Sequence, residues 1–358
     1  MHNVVRAGFL RYLALGGDDR CPVHERGLWL KGAYVSGGDL DLQGCNGVLP
    51  IFLQCCWFEG LVNIRDAHTG TVNLDGSRVV GLDAKRTKVD GSIYLRHDGH
   101  YGSSAENVRF FFISEMGVNL IDSHITGSLE CHHAKFGLHS GAAVHASRAN
   151  IGGSVFLHQS FAAKGPIFFR GARIGGNFEC SGGSFEAANN KHNIAISCQG
   201  ANIRGSVHFR QTEKEQQSFT AKGEVRFIDA EIGGSFECHG ANIENPNGKA
   251  LYCSRMKVKG NVFTHQGFTA IGEVVFRGAE IGGNFQCDGG NFEHSIGGDI
   301  AISCESAKIR GSVLLRILKR GNHSSEDNKY RFCSKGQVRF IDAVVSGSLA
   351  VLNATGPS

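Results

Sequence analysis

Cysteine and histidine are the residue types here suited to metal ligation or nucleophilic chemistry, and the 358-residue chain holds 12 and 17 of them. A metal site read from sequence needs closely spaced ligands answered by a second pair elsewhere. Only Cys55 with Cys56, and the run Cys131, His132 and His133, come near such spacing, and neither has a second half. The remaining cysteines recur at fixed intervals. Cys131, Cys180, Cys238 and Cys287 share one slot of a repeating pattern, and Cys198, Cys253 and Cys304 share another. Other copies place leucine or phenylalanine in these slots, so the thiols are expected as small buried apolar groups. The histidines are scattered. His158 and His265 alone stand in register, opening the similar segments HQSFAAKG (158–165) and HQGFTAIG (265–272). The chain has no H-E-x-x-H, Walker loop, G-x-G-x-x-G or G-x-S-x-G. No catalytic residue, metal or cofactor is therefore assigned, and a non-enzymatic protein is expected.

The charged residues fall into rows. Arg204, Lys259 and Arg310 each stand just before a glycine (Gly205, Gly260, Gly311), and Arg226, Arg277 and Arg339 add positive charge near another slot. Glu130, Glu179 and Glu237, with Gln286 in the fourth copy, form an acidic stripe. Outward slots carry no packing demand, so such rows serve solubility, block edge-to-edge pairing or meet a partner. The candidate partner-binding residues are Arg204, Lys259, Arg310, His158 and His265, with Lys319 and Arg320 from the charged segment 316–336. Phe169, Phe227, Phe276 and Phe340 repeat at one slot and Phe178, Phe236 and Phe285 at another, which predicts ring ladders inside the fold. No run of outward rings beside basic residues, as a base-stacking platform needs, is legible. Net charge is +4, with 37 basic against 33 acidic residues, and the pI near 8.4 suits neither a polycation nor an acidic mimic of nucleic acid.

The elements that hold these rows follow from composition and period. Glycine takes 50 positions and proline 5. At roughly 1 kcal/mol per glycine in a helix interior, a mostly helical fold is excluded. One pattern recurs: apolar, any, apolar, two of any, small, any, apolar. Copies include Val72/Leu74/Ser77/Val79, Ile167/Phe169/Ala172/Ile174, Val225/Phe227/Ala230/Ile232 and Val274/Phe276/Ala279/Ile281. Alternating apolar residues followed by a small residue and glycine read as strand, bend and strand. From residue 118 onward the units pair with a constant step of 11 (118 to 129, 144 to 155, 167 to 178), while the step between pairs varies. This predicts an all-β parallel solenoid of about 22 residues per coil and roughly thirteen coils over residues 27–358. Its insertions should stack on one edge from about residue 136, where solenoids place binding loops. Phe161, Phe219 and Phe268, in the matched segments along that edge, are expected to tuck back over the coil.

The small/large pairs Ala172/Ile174, Ala230/Ile232, Ala241/Ile243, Ala279/Ile281 and Ala307/Ile309 resemble those of the pentapeptide-repeat proteins. The opening VRAGFLRYLALGG…CPVHERGLWLKGAYVSGGDLDLQG also resembles the start of a bacterial family of such repeats, whose members often carry the label membrane-associated oxidoreductase. The resemblance implies a four-sided right-handed β-helix, although the spacing here alternates five and six instead of a strict five. It also implies a link to nucleic acid or topoisomerase, and dimers formed through an end coil. The oxidoreductase label finds no supporting motif, and an enzyme of unrecognised chemistry is the third reading.

At the N-terminus, Val4, Val5, Phe9, Leu10 and Leu13 predict one face of a capping helix of about a dozen residues. Gly16 and Gly17 stop that helix, within a cap spanning residues 1–26. Arg11, Asp18 and Asp19 argue against a signal peptide. No run of about 18 apolar residues predicts a membrane span, and since disulfide frameworks belong to short secreted domains with small cores, the twelve cysteines fit a reducing cytoplasm. The last unit, Leu349/Val351/Ala354, is expected to pair with a second copy of the chain, with a cap from the 316–336 segment or a truncated chain as the alternatives. The leading functional expectation is a cytoplasmic scaffold that presents its loop-bearing edge to a macromolecular partner, expected to be a protein. Nucleic acid is the alternative.

Overall fold

A computed structural model describes residues 3–98, 110–137, 141–187, 192–213, 216–294, 299–319 and 329–352. Arg320, residues 321–328 of the charged segment and Ala354 lie outside the described residues. The chain divides into two compact units, Met1–Gly175 and Gly176–Ser358. Each is a stretch of parallel β-helix, as the repeat requires, and the fold is the expected right-handed solenoid.

Every coil has four short sides. In the second unit the first side stacks Phe178–Glu179, Val207–His208, Phe236–Glu237, Val262–Phe263 and Phe285–Gln286, all parallel. The second side carries Ser184–Glu186 and Thr220–Lys222, and the third Ile194–Ser197 and Glu224–Arg226. The fourth stacks Asn202–Ile203, Glu231–Ile232, Lys257–Val258, Glu280–Ile281 and Lys308–Ile309. The first unit repeats the scheme, with Val72–Asn73, Ile93–Tyr94, Leu129–Glu130 and Val155–Phe156 on its first side. Its fourth side carries His68–Thr69, Lys88–Val89, His124–Ile125 and Asn150–Ile151.

The constant 11-residue step is the run from the third side through the fourth to the first. The variable step contains the whole second side and therefore two corners. Extra residues enter between first and second sides, as from His208 to Thr220, and between second and third, as from Glu186 to Ile194. The insertions thus flank the second side instead of occupying one edge. The half-segment FAAK of 161–164 is itself second-side strand (Ala162–Lys164). Phe161, Phe219 and Phe268 are fully buried core residues, not flaps over it.

Inside each coil the small/large pairs and the cysteine and phenylalanine ladders interdigitate. Cys131, Cys180, Cys198, Cys238, Cys253, Cys287 and Cys304 are all inaccessible, and burial pushes the Cys287 thiol up to about 12. Phe227 meets Phe236 edge to face at 5.1 Å, and Phe276 meets Phe285 at 5.0 Å, the arrangement that ring quadrupoles favour.

The corner between third and fourth sides passes through left-handed backbone once per coil, at Gly44, Asp66, Arg86, Asp122, Arg148 and Gly171 in the first unit (φ 56–67°). In the second unit Gly200, Asp229, Arg255, Gly278, Ser306 and Asp342 do so (φ 54–63°). Non-glycine residues there cost roughly 1–2 kcal/mol each. Two-pronged Arg–Asp bonds between successive coils offset that cost, at 2.5 and 2.6 Å for Arg86–Asp66 and at 2.6 and 2.8 Å for Arg255–Asp229.

The corner between fourth and first sides is a stack of glycine followed by serine or asparagine. Gly234 N–H donates to Gly205 O, Gly260 to Gly234 and Gly283 to Gly260, each at 2.9 Å. Beside it, Ser235 N–H donates to Ser206 Oγ (3.0 Å), Asn261 to Ser235 Oγ (3.1 Å) and Asn284 to Asn261 Oδ1 (2.8 Å). The side-chain oxygens satisfy amides that an abrupt corner would otherwise leave unpaired.

The N-terminal helix is shorter than expected, Ala7–Ala14, and buries Ala7, Leu10 and Ala14. Val4 and Val5 belong instead to the strand Asn3–Arg6, which pairs with Ala33–Ser36. Val4 and Phe9 are exposed. Parallel pairing with the first coil satisfies backbone groups that a longer helix would have left open at the sheet edge.

Candidate functional site: a cationic groove

Three of the seven sequence-selected residues come together. Arg204, Lys259 and Arg310 line one groove of about 1030 Å³ on the fourth side of the second unit, with Glu231, Lys257, Glu280, Lys308 and Asn202 along its other wall. The strand geometry creates it. Asn202 and Arg204 flank the inward Ile203, Lys257 and Lys259 flank Val258, and Lys308 and Arg310 flank Ile309, so each strand holds up two outward walls over a backbone floor. In the coils between, Gly233 and Gly282 replace the second wall residue.

Those glycines are forced by close approach. A Cβ on Gly233 would lie 2.1 Å from Arg204 O, and one on Gly282 would lie 2.2 Å from Lys259 O. The cations are therefore held every second coil, about 9.6 Å apart at the usual strand separation, with bare floor between them. Register is kept by Gly233 N–H to Ile203 O (2.8 Å), Lys259 N–H to Ile232 O (3.0 Å) and Gly282 N–H to Val258 O (2.8 Å).

The electrostatics of the two basic rows differ. Arg226 pairs with Glu224 (2.6 Å), Arg277 with Glu305 (3.2 Å) and Glu273 (3.5 Å), and Arg339 with Glu305 (3.9 Å), so that row is internally neutralised. Within the groove, Lys257 pairs with Glu231 (3.4 Å) and Lys308 with Glu280 (3.7 Å). Arg204, Lys259 and Arg310 are exposed and have no carboxylate within salt-bridge distance among the described residues. Three uncompensated cations in a row are what a docking site for an anionic chain requires.

The other candidates lie elsewhere. His158 and His265 sit at the corner between first and second sides, each in its own unit. His158 contacts His132 (5.4 Å between ring centres), which lies beside His133 and His97, and His265 contacts His239 (5.6 Å). Burial, helped by His158, Arg96, His133 and His97, pushes His132 down to about 3. Burial, with His265, Arg210 and His208, pushes His239 down to about 4. Half-buried neutral imidazoles suit a packed corner. Among the described residues, no three histidine, cysteine or acidic side chains are placed to hold a metal ion. Lys319 lies in the two-residue strand Leu318–Lys319, antiparallel to Lys329–Tyr330.

Two other expectations change. The acidic stripe is interrupted, because His208 sits between Glu179 (2.5 Å) and Glu237 (3.8 Å), and Arg210 reaches both. Burial works against the Glu179 carboxylate, but bonds from His208 and Ser181 hold it below its ordinary range. Outward rings beside basic residues do occur, as single pairs: Arg78 over Trp57 (5.1 Å), Arg96 over Tyr94 (4.3 Å) and Arg170 over Phe168 (4.2 Å). Among the described residues, no helix is long and apolar enough to cross a membrane. Comparison with protein-family models, with curated proteins and with solved structures finds no match, so the fold and the groove stand on the residues themselves.

Proposed function

We propose that the chain is a non-enzymatic binding module whose partner, an acidic protein surface or segment, docks in the fourth-side groove of the second unit. The observation that carries this is the row Arg204, Lys259 and Arg310, left without counter-charge among the described residues, beside paired lysines and a paired second arginine row. The docking surface then lies away from the insertion-bearing corners, on the side where coils are most regular. A regular side offers a rigid, preorganised row of charges, which lowers the ordering cost of binding. Four-sided coils with inward pairs such as Ala230/Ile232 support kinship with the pentapeptide-repeat proteins. The test is salt elution from immobilised poly-L-glutamate: the wild-type chain is retained at low salt, and the R204Q/K259Q/R310Q variant elutes markedly earlier. Equal elution of the two overturns the proposal.

A further inference from the structure

With the groove as the docking site, its charge pattern specifies more than an anion. Along the axis the strands alternate. Arg204 beside Asn202, Lys259 beside Lys257 and Arg310 beside Lys308 present cations, while Glu231/Gly233 and Glu280/Gly282 between them present a carboxylate and a bare floor. A uniformly charged strand would set anions against Glu231 and Glu280 as well as against the cations. Nucleic acid, with one phosphate per ~3.4 Å of each strand, is of that kind. The structure favours a ligand whose anionic groups recur near the two-coil period of ~9.6 Å.

Peptide conformations can be sorted by that period. An extended β-strand brings side chains to one face every second residue, about 6.8 Å apart, and its third residue points away. An α-helix is about 10–12 Å across, wider than walls two residues apart on a strand, about 6.6 Å. Polyproline II rises ~3.1 Å per residue with three residues per turn, so every third side chain faces the same way at ~9.3 Å. Over the two intervals from Arg204 to Arg310 the mismatch with the cation row is about 0.6 Å, well within the reach of an arginine or lysine side chain.

We propose that the groove's occupant is a polyproline II segment with an acidic residue at every third position, lying along the coil axis; this rests on the groove being the docking site. Its carboxylates meet Arg204, Lys259 and Arg310. Its intervening residues lie over Gly233 and Gly282, where no side chain rises to meet them, and Glu231 and Glu280 repel any charge placed there.

The experiment compares two twelve-residue labelled peptides of identical composition, one with Glu-Pro-Pro repeated four times and one with the four glutamates in a block. Each is titrated into the full chain at about 50 mM salt, with a short DNA duplex as a third probe. The periodic peptide is expected to bind about tenfold more tightly than the block isomer and to lose that advantage in R204Q/K259Q/R310Q. In E231Q/E280Q the block isomer should gain affinity and the gap should narrow. Equal binding of both peptides, abolished by the triple variant, overturns the three-residue period while leaving the groove as the site. Peptide binding unchanged in the triple variant overturns the groove reading as well. Tighter binding of the duplex than of the periodic peptide overturns the peptide in favour of nucleic acid.

Discussion

Gly233→Ala tests whether the groove floor is imposed by the backbone. The new Cβ would lie 2.1 Å from Arg204 O and 2.9 Å from its carbonyl carbon, against 3.4 Å for ordinary contact. The two strands must therefore separate by more than 1 Å locally, straining the 2.8 Å bond from Gly233 N–H to Ile203 O. Overpacking of this kind costs about 1–3 kcal/mol. At about 2–4 °C per kcal/mol for a unit of this size, the melting temperature should fall by about 2–12 °C. Gly282→Ala, with its Cβ 2.2 Å from Lys259 O, should behave alike. Lys259→Ala, in the same column but one coil over, should stay within about 0.5 kcal/mol of wild type. Thermal and urea melts followed by circular dichroism give the comparison. Equal stability of Gly233→Ala and Lys259→Ala would refute the close-approach explanation of why glycine alternates with cations.

Acid should destabilise the histidine corners. His132 and His239 titrate near 3 and 4 when folded but near 6.5 when unfolded. Between those values the unfolded chain binds more protons, so stability falls as pH drops from about 6.5 toward 4; urea midpoints across that range should show it, and H132Q with H239Q should flatten the slope. Thiol labelling of the native chain should modify the exposed Cys21 first and leave Cys131, Cys180, Cys198, Cys238, Cys253, Cys287 and Cys304 untouched until unfolding; rapid native labelling of any of these buried thiols would contradict the ladders. Ile341, Val344, Leu349 and Val351 are exposed on the last described coil, and pairing there predicts a dimeric mass by light scattering that V344K/L349K converts to a monomer. A monomeric wild-type chain at micromolar concentration would rule that pairing out.

What the sequence reveals depends on which residues the coil constrains. Cys238 in a slot that elsewhere holds phenylalanine, and Ala230 two residues before Ile232, announce buried ladders because the same demand recurs in every coil. The second side is hidden because its strands lie within segments of unequal length, so HQSFAAKG reads as a loop although Ala162–Lys164 is a strand. The Gly-Ser and Gly-Asn corner is visible at Gly205-Ser206, Gly234-Ser235 and Gly260-Asn261, but its ladder of side chain to backbone bonds needs the stacked register to be recognised. Arg204 and Arg226 look equivalent along the chain. Glu224, two residues earlier on the same strand, neutralises Arg226 while Arg204 is left open, and Glu305 neutralises Arg277 from the next coil, a pairing that depends on which residues adjacent coils bring side by side.

If Arg204, Lys259 and Arg310 form the docking row, two variants with the same formal charge must behave differently. R204Q/K259Q/R310Q and K222Q/R255Q/K335Q each remove three positive charges, taking +4 to +1, the first from the groove and the second from other positions on the same unit. Titration of each with labelled poly-L-glutamate should show binding weakened about tenfold or more by the groove variant and little changed by the other. Equal weakening by both would mean that net charge alone attracts the ligand, and would contradict the groove as the site.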